Sequence, residues 1–276
     1  MIYYLVEYHK VRITLCFDST DSFEKLSREI AGFPHTPIAE PVGRTIKIKQ
    51  KKNSWKIKDE YFYLSKRCKS INKLSHQLSQ LIMRHISDLA REHFCLHAGS
   101  VAYGDKGIIM PAVSGSGKTT TTCWFVKQGL DYVSDEFVMI DEDSFINGVS
   151  RPMQVKSPYG TKIINSMLDT DKHLLQETRT VSYSPELFNN SYGYSDKLKL
   201  HCILFPKYSP TAGNTISVVN PSERGFQLMG NFVNSRNFPD FGFKELLKAT
   251  DVPSYRLDYS DITSLSLDWV KKELLL

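Results

Sequence analysis

One segment, residues 111–120, constrains the fold of this chain more than any other. It reads PAVSGSGKTT; the apolar run at 107–110 before it predicts a buried strand, and residues 119–128 after it predict a helix. Glycines allow the backbone of such a loop to adopt left-handed conformations, so that its N–H groups and the positive end of the next helix converge. The pattern favours an α/β fold in which this loop wraps an anion, and phosphate is the anion that suits it best.

The side chains of the loop predict distinct roles around the phosphates of a nucleoside triphosphate, which we take to be ATP. Lys118 would contact the terminal phosphates as a point charge, and the Thr119 hydroxyl would ligate magnesium. Ala112 stands where the full pattern has glycine. The residues predicted to bind the nucleotide are Ser114, Gly115, Ser116, Gly117, Lys118, Thr119 and Thr120.

Two adjacent carboxylates, Asp135 and Glu136, lie in the run YVSDEFVMI directly after the predicted helix. Phosphoryl transfer needs charge neutralisation and a group that orients or deprotonates the acceptor. We therefore predict that Asp135 is the base and that Glu136 helps to hold magnesium, directly or through water. Adjacent side chains on a strand point to opposite faces, so both act at one site only if the backbone bends there. A polar strand end is the alternative interpretation.

The part of the chain before the loop predicts a separate β-rich portion. It combines strand-like runs with two helical patterns, in residues 1–17, 22–33, 44–64 and 71–91. A chain of 276 residues is long enough for one or two domains. We predict a β-rich N-terminal subdomain with a linking helix over residues 1–92, and a nucleotide-binding domain over residues 93–276.

Residues 44–58, RTIKIKQKKNSWKIK, carry seven positive side chains and no acidic one. Lys47, Lys49, Lys56 and Lys58 occupy alternate positions of two predicted strands, which predicts a hairpin with one basic face. Two interpretations stay open. The lysines form a solvated edge that discourages strand pairing, or they form a docking surface for an anion or an acidic peptide.

Composition sets the remaining bounds. The net charge of +5 is too small to predict a nucleic-acid partner, and the absence of any run of about 18 apolar residues argues against a membrane span. Five cysteines without short pair spacing predict neither zinc nor a disulfide framework, and together with the lack of a signal peptide they favour a reducing cytoplasm. A homo-oligomer is compatible with the sequence. Arg151, Lys156 and Arg224 are possible anion contacts that no motif supports.

Three features within residues 96–140 together resemble the catalytic domain of the HPr kinase/phosphorylase family. His97 lies 15 residues before Ala112, the loop reads SGSGKTT, and the acidic pair in VSDEFV begins 17 residues after Lys118. In that family the first aspartate of the pair acts on the acceptor serine, and the histidine lies close to it. The resemblance implies catalytic roles for Asp135, His97 and Lys118. It also implies a P-loop-containing α/β core of the phosphoenolpyruvate-carboxykinase-like, HPr kinase C-terminal-like type.

The same resemblance implies an ATP- and magnesium-dependent serine kinase. Glu136 replaces the second aspartate of the family, and the family segment Glu-Arg-Gly-Leu-Gly, which is tied to phosphorolysis and HPr handling, is not found downstream. The chain therefore looks more similar to the shorter HPr kinase-like enzymes beside ribosomal peptide clusters, including those that phosphorylate a serine of lasso-peptide precursors. The expected acceptor is a serine on a small protein or precursor peptide.

Two alternatives remain open from the sequence. A nucleotide-gated binding module would hold ATP in the same loop to regulate a partner, without phosphoryl transfer. A kinase of a free small molecule, such as an amino acid, would need a closed polar pocket rather than a groove. The sequence does not separate the small-molecule kinase from the peptide kinase.

Overall fold

The computed structural model describes residues 1–27, 30–156, 158–168, 180–188, 190–191 and 198–276 of a mixed α/β protein. The chain divides into two compact units, residues 1–90 and residues 91–276, each built around its own sheet. All five cysteines are buried free thiols. None of the helices in the described ranges has the length and apolarity that a membrane crossing requires.

The N-terminal unit is a six-stranded sheet with two helices against it. Its strands are β1 (Ile2–Tyr8), β2 (Val11–Phe17), β3 (His35–Ile38), β4 (Arg44–Lys51), β5 (Ser54–Asp59) and β6 (Leu64–Cys68), in the spatial order β3-β1-β2-β4-β5-β6. Its helices are α1 (Thr20–Ser27) and α2 (Ile71–Leu89). Ile46, Ile48 and Ile57 are fully buried, whereas the lysines between them project from the opposite face. The sheet thus has one apolar and one basic face.

The first helix is shorter than its sequence predicts. A helix was expected over 22–33, but α1 ends at Ser27 and residues 30–33 form turns, while 28 and 29 lie outside the described residues. Gly32 and Pro34 account for the turns at residues 30–33, because glycine is a poor helix former and proline disfavours the helical conformation of the residue before it.

A buried polar pair connects α2 to the sheet of this unit. His85 Nε2 on α2 contacts the carboxylate of Asp59 at the end of β5, and both side chains are fully buried. Burial lowers the pKa of His85, so the imidazole is neutral at pH 7 and donates its N–H to the carboxylate. Asp59 also accepts a hydrogen bond from Phe62 N at 2.8 Å. The pair therefore fixes the turn after β5 against the helix.

The C-terminal unit contains an eight-stranded sheet and a two-stranded one. Its strands are β7 (Phe94–Tyr103), β8 (Lys106–Pro111), β9 (Asp131–Ser134), β10 (Phe137–Ile140), β11 (Phe145–Gly148), β12 (Met153–Lys156), β13 (Thr180–Tyr183), β14 (Leu198–Tyr208), β15 (Thr215–Val218) and β16 (Ser254–Tyr259). The large sheet has the order β11-β10-β7-β8-β14-β16-β15, with β9 also pairing β7, and β12 pairs β13. Because β11 also pairs the start of β14, the strands β11, β10, β7, β8 and β14 form a closed ring.

Helices cover both faces of the large sheet. They are α3 (Lys118–Lys127), α4 (Tyr159–Leu168), α5 (Pro221–Met229), α6 (Phe243–Ala249) and α7 (Leu267–Glu273). Cys202 and Leu204 of β14 pack into the core that contains α3, whereas Ile203 packs into the core that contains α5 and α6. A strand that is buried on both faces carries a continuous apolar run, and residues 202–206 of β14 form such a run.

Gly99 of β7 allows α3 to approach the sheet closely. A Cβ at this position would lie 2.5 Å from Thr122 Oγ1 and 3.3 Å from Lys118 Cγ, both on α3. The first distance is shorter than any normal contact, so a side chain at residue 99 would push α3 away from β7. Because Gly99 has no Cβ, the first turn of α3 can lie this close to β7.

Gly99→Ala is expected to lower the free energy of unfolding by about 1–3 kcal/mol, because the added methyl group overpacks the contact between β7 and α3. The matched control is Gly213→Ala, since no described atom lies within 4 Å of a Cβ built at residue 213. The control should change the stability by less than about 0.5 kcal/mol. Urea unfolding of both variants measures the difference, and equal values for the two would contradict the close approach.

Candidate functional site

The glycine-rich loop between β8 and α3 leaves the N-terminus of α3 open. Gly115 and Gly117 have φ angles of 92° and 96°, in the left-handed region that glycine adopts without strain. Gly117 is also the N-cap of α3 and has no side chain with which to cap the first helical N–H groups. A Cβ at Gly117 would lie 2.0 Å from Tyr259 Oη, so packing requires glycine here as well. The first amides of α3 and the positive end of its dipole thus suit an anion.

A bend in the chain brings the two predicted carboxylates together. Strands β9 and β10 both pair with β7, and Asp135 and Glu136 form the bend between them. The Ser134 hydroxyl stabilises this bend, because it donates to Val149 O at 3.1 Å and accepts from Phe137 N at 3.1 Å. Two adjacent side chains, which a regular strand would direct to opposite faces, therefore reach the same partner.

That partner is Arg151, which lies in the segment between β11 and β12. Its Nη2 donates to Glu136 Oε2 at 2.8 Å, and its Nε lies 3.3 Å from Asp135 Oδ1. The side chain is 3% exposed, and the Tyr132 hydroxyl fixes its backbone by donating to Arg151 O at 2.7 Å. The buried guanidinium offsets one of the two carboxylate charges, and Glu136, which is 26% exposed, keeps contact with water.

Asp135 is fully buried and its two oxygens have different surroundings. Oδ2 accepts a hydrogen bond from Gln154 N at 3.0 Å. Oδ1 has no hydrogen-bond partner among the described residues, because Arg151 Nε is within ion-pair distance but not aligned for a hydrogen bond. Burial raises the pKa of Asp135, and the charge of Arg151 opposes that shift. A buried oxygen without a hydrogen bond costs about 1–3 kcal/mol, and a catalytic role is one of the explanations for keeping such a group.

Lys118, the first residue of α3, extends the network toward the glycine-rich loop. Its Nζ lies 2.6 Å from His97 Nε2, and His97 Nδ1 lies 3.3 Å from Glu136 Oε1. Burial lowers the pKa of Lys118 to about 8. Burial and the charge of Lys118 also lower the pKa of His97, so His97 is neutral at pH 7. The imidazole then accepts a hydrogen bond from the lysine at Nε2 and carries its proton at Nδ1, toward Glu136.

Glu136 is the carboxylate that suits a metal ion. Burial alone would raise the pKa of Glu136, but the charges of Arg151 and Lys118 outweigh that effect, and the pKa is lowered. The side chain is therefore ionised, and it is 26% exposed. In the described part of the chain, no three His, Cys, Asp or Glu side chains are grouped as a metal site. Magnesium would therefore take most of its ligands from phosphate oxygens and water, with Glu136 and the Thr119 hydroxyl completing the set.

The structure brings Asp135, Glu136, His97 and Lys118 into one network. The remaining predicted residues form the loop and the first turn of α3, with Ser114 and Gly115 exposed and Ser116, Gly117, Thr119 and Thr120 half-buried.

The sequence did not assign three residues that complete the site. Arg151, Gln154 and Lys156 all come from the segment that leads into and forms β12, and the Lys156 ammonium donates to Ser114 Oγ in the loop. Arg151 and Lys156 were only possible anion contacts, because no local pattern marks them. Arg224, the third such candidate, instead pairs with Asp251 at 2.8 Å on another part of the unit.

Arg151→Met is expected to lower the free energy of unfolding at pH 8 by about 3–5 kcal/mol, because it leaves buried carboxylates without their counter-charge. The loss should be smaller at pH 5. The pKa of Asp135 is already raised in the fold, so the folded variant takes up a proton more readily than the unfolded chain as the pH falls. Urea unfolding at both pH values tests this expectation.

The control for this variant is Arg256→Met. Arg256 also pairs with two carboxylates, Asp258 and Glu223, but these ion pairs are partly exposed. The control should cost no more than about 1 kcal/mol at either pH. Equal losses for the two arginines would show that the buried network does not depend on Arg151.

No protein-family model matches the chain, and the search of curated proteins finds no significant match. The case for a function therefore rests on the arrangement of these side chains.

Proposed function

We propose that this chain is an ATP- and magnesium-dependent kinase that phosphorylates a serine hydroxyl on a small protein or peptide. The observation that carries the proposal is the environment of Asp135. One of its oxygens is held by Gln154 N, and the other is buried without a hydrogen bond, in the same charge network as Lys118. A proton acceptor beside a lysine at the start of a helix is what phosphoryl transfer to an alcohol requires.

The glycine-rich loop supports the nucleotide part of the proposal. The uncapped amides of α3, Lys118 and the Lys156 ammonium at Ser114 all supply positive charge or N–H donors to one region. When bound, ATP with magnesium would supply the phosphoryl group, with Thr119 and Glu136 as the protein ligands of the metal. A P-loop within a phosphoenolpyruvate-carboxykinase-like core is the fold type that we propose with this function.

The residues of the chain have separate roles in this proposal. Asp135 Oδ1 accepts the proton of the serine hydroxyl, while the Gln154 N–H keeps the carboxylate in one orientation. Arg151 favours the ionised form of Asp135, which a base needs, against burial, which raises the pKa of Asp135. His97 positions Lys118 through its Nε2, and its Nδ1–H faces Glu136.

A nucleotide-gated binding module is the second candidate, and one observation favours it. Asp135 is fully buried, so its unpaired oxygen is not open to an acceptor in this structure. The kinase proposal therefore requires a rearrangement around Asp135 when nucleotide binds. A binding module requires no access to Asp135 at all, and this difference can be tested directly.

Incubation with ATP and magnesium is expected to add one phosphate to a serine of a suitable acceptor. The acceptors to test are HPr and any serine-containing precursor peptide encoded near the gene, and the readout is mass spectrometry. Asp135→Asn should slow transfer by a factor of about 10²–10⁴ without loss of ATP binding, because it removes the proton acceptor. Lys118→Ala should slow phosphoryl transfer and also weaken ATP binding. Asp143→Asn, the same change at an exposed position, is the matched control and should have no effect.

The opposite outcome is equally clear. If ATP binds and neither acceptor gains phosphate, and if Asp135→Asn does not alter the nucleotide-dependent behaviour of the protein, the binding module replaces the kinase.

The affinity for ATP is expected to fall as the pH rises above about 8, because Lys118, whose pKa is lowered to about 8, then loses its charge. At higher pH the dissociation constant should rise by up to about tenfold per pH unit, as for the titration of one required group. Lys118→Arg should show no such trend between pH 7 and pH 9, since arginine keeps its charge. Isothermal titration calorimetry measures both proteins, and an equal decline for Lys118→Arg would assign the titration to another group.

A further inference from the structure

The N-terminal unit carries a continuous positive surface on the side of its sheet away from the apolar core. We call this surface the basic face, and it consists of Lys47, Lys49 and Lys51 on β4, Lys56 and Lys58 on β5, and Arg67 on β6. The strand register places Lys47 opposite Lys58, Lys49 opposite Lys56, and Lys56 opposite Arg67. Lys47 is half-buried and the other five side chains are exposed.

The position of β4 and β5 in the sheet excludes protection of a sheet edge as the reason for these lysines. Charged side chains on an edge strand prevent pairing with a second sheet, but only a strand with a free side needs them. β4 pairs with β2 and β5, and β5 pairs with β4 and β6, so both lie inside the sheet. The interpretation of the lysines as an edge device, left open by the sequence, is therefore wrong for these two strands.

The basic face is also poorly neutralised. Glu60 contacts Lys47 at 2.9 Å and Lys58 at 3.2 Å. Within the described residues, no carboxylate forms an ion pair with Lys49, Lys56 or Arg67, although the three lie side by side on adjacent strands. Like charges directly opposite each other destabilise a sheet. A ligand of opposite charge would remove this repulsion on binding.

We propose that the basic face binds an acidic segment of the polypeptide acceptor. The identity of that partner rests on the proposed function, whereas the preference for an acidic peptide rests on the surface itself. In an extended peptide every second side chain points the same way, with a spacing of about 6.5–7 Å. The side chains of Lys47, Lys49 and Lys51 have the same alternate spacing along β4. A peptide with carboxylates at alternate positions therefore matches the basic face along a strand.

The rest of this surface argues against the other polyanions. Tyr61 and Tyr63 are exposed in the turn between β5 and β6. The remaining outward positions of the strands are Thr45, Ser54 and Ser65, so the strands themselves offer no aromatic rings on which bases of a single-stranded nucleic acid would stack. They also offer no apolar side chains that would insert into a lipid surface.

Fluorescence anisotropy of the full chain without ATP tests the proposal. The probe is a labelled peptide of alternating glutamate and serine, and the reference peptide has glutamine in place of glutamate. Substitution of three neighbouring cations without ion pairs to described residues, Lys49→Gln, Lys56→Gln and Arg67→Gln together, is expected to weaken binding of the probe about tenfold or more, because three exposed ion pairs to the probe are lost. The triple variant should unfold at the same or a higher temperature, since repulsion between opposite strands is removed.

The matched control neutralises the same number of charges elsewhere. Lys127→Gln, Lys244→Gln and Lys248→Gln together change exposed lysines on α3 and α6 and should leave the affinity within about twofold. The proposal is overturned if the probe binds no better than the glutamine peptide, or if the control weakens binding as much as the triple variant. Tighter binding of oligothymidine or of phosphatidylserine vesicles to the same residues would overturn it too, in favour of those polyanions.

One further variant separates this proposal from the proposed function. Lys118→Ala, which removes the loop lysine, should bind the glutamate probe with unchanged affinity. If the unsubstituted protein binds the glutamate probe but phosphorylates no serine acceptor, the kinase proposal is refuted and the acidic-peptide surface stays in place. If the triple variant phosphorylates the serine acceptor with an unchanged KM for that acceptor, the docking role is refuted and the kinase proposal stays in place.

Discussion

The candidate site depends on one interaction, the contact of buried Arg151 with Asp135 and Glu136. Charges are stable away from water only when opposite charges and hydrogen bonds replace their hydration. The carboxylates come from the bend between β9 and β10, and the guanidinium comes from the segment before β12. The ion pairs thus add to the hydrogen bonds of Tyr132 and Ser134 that already hold these two segments together. His97 on β7 and Lys118 on α3 join the same network through Glu136.

The network is close to electrical balance without any ligand. Asp135 and Glu136 face Arg151 and Lys118, and His97 is neutral, because burial and the charge of Lys118 lower its pKa. In the proposed function, a polyphosphate at the glycine-rich loop would add negative charge and would compete with the carboxylates for Lys118. Lys156 at Ser114 and a metal ion held by Glu136 would then supply the extra positive charge. Lys118 belongs to the loop and to the buried network, so phosphate binding would change the charge around Asp135.

Each of the two units contains an arrangement that lowers its own stability and belongs to a proposed binding site. In the C-terminal unit it is the unpaired oxygen of Asp135, and in the N-terminal unit it is the row of opposed cations at Lys49, Lys56 and Arg67. Folding does not require either arrangement. An apolar side chain in place of Asp135, or neutral side chains in place of the opposed cations, would pack at a lower cost in free energy. Local departures from stable packing of this kind are expected where a surface or a side chain is reserved for a ligand.

The sequence by itself determined the elements whose signals are local. The strands β1 and β2, the helix α2 and the order of strand, glycine-rich loop and helix around Lys118 follow from apolar periodicity and glycine placement over a few residues. Strands β11, β12, β13 and β16 carry weaker patterns and were not predicted. Only the tertiary structure decided that Asp135 and Glu136 share Arg151, that Gln154 holds one oxygen of Asp135, and that β4 and β5 lie inside a sheet. These contacts join segments that are distant along the chain, and local periodicity contains no information about which strand becomes the neighbour of another.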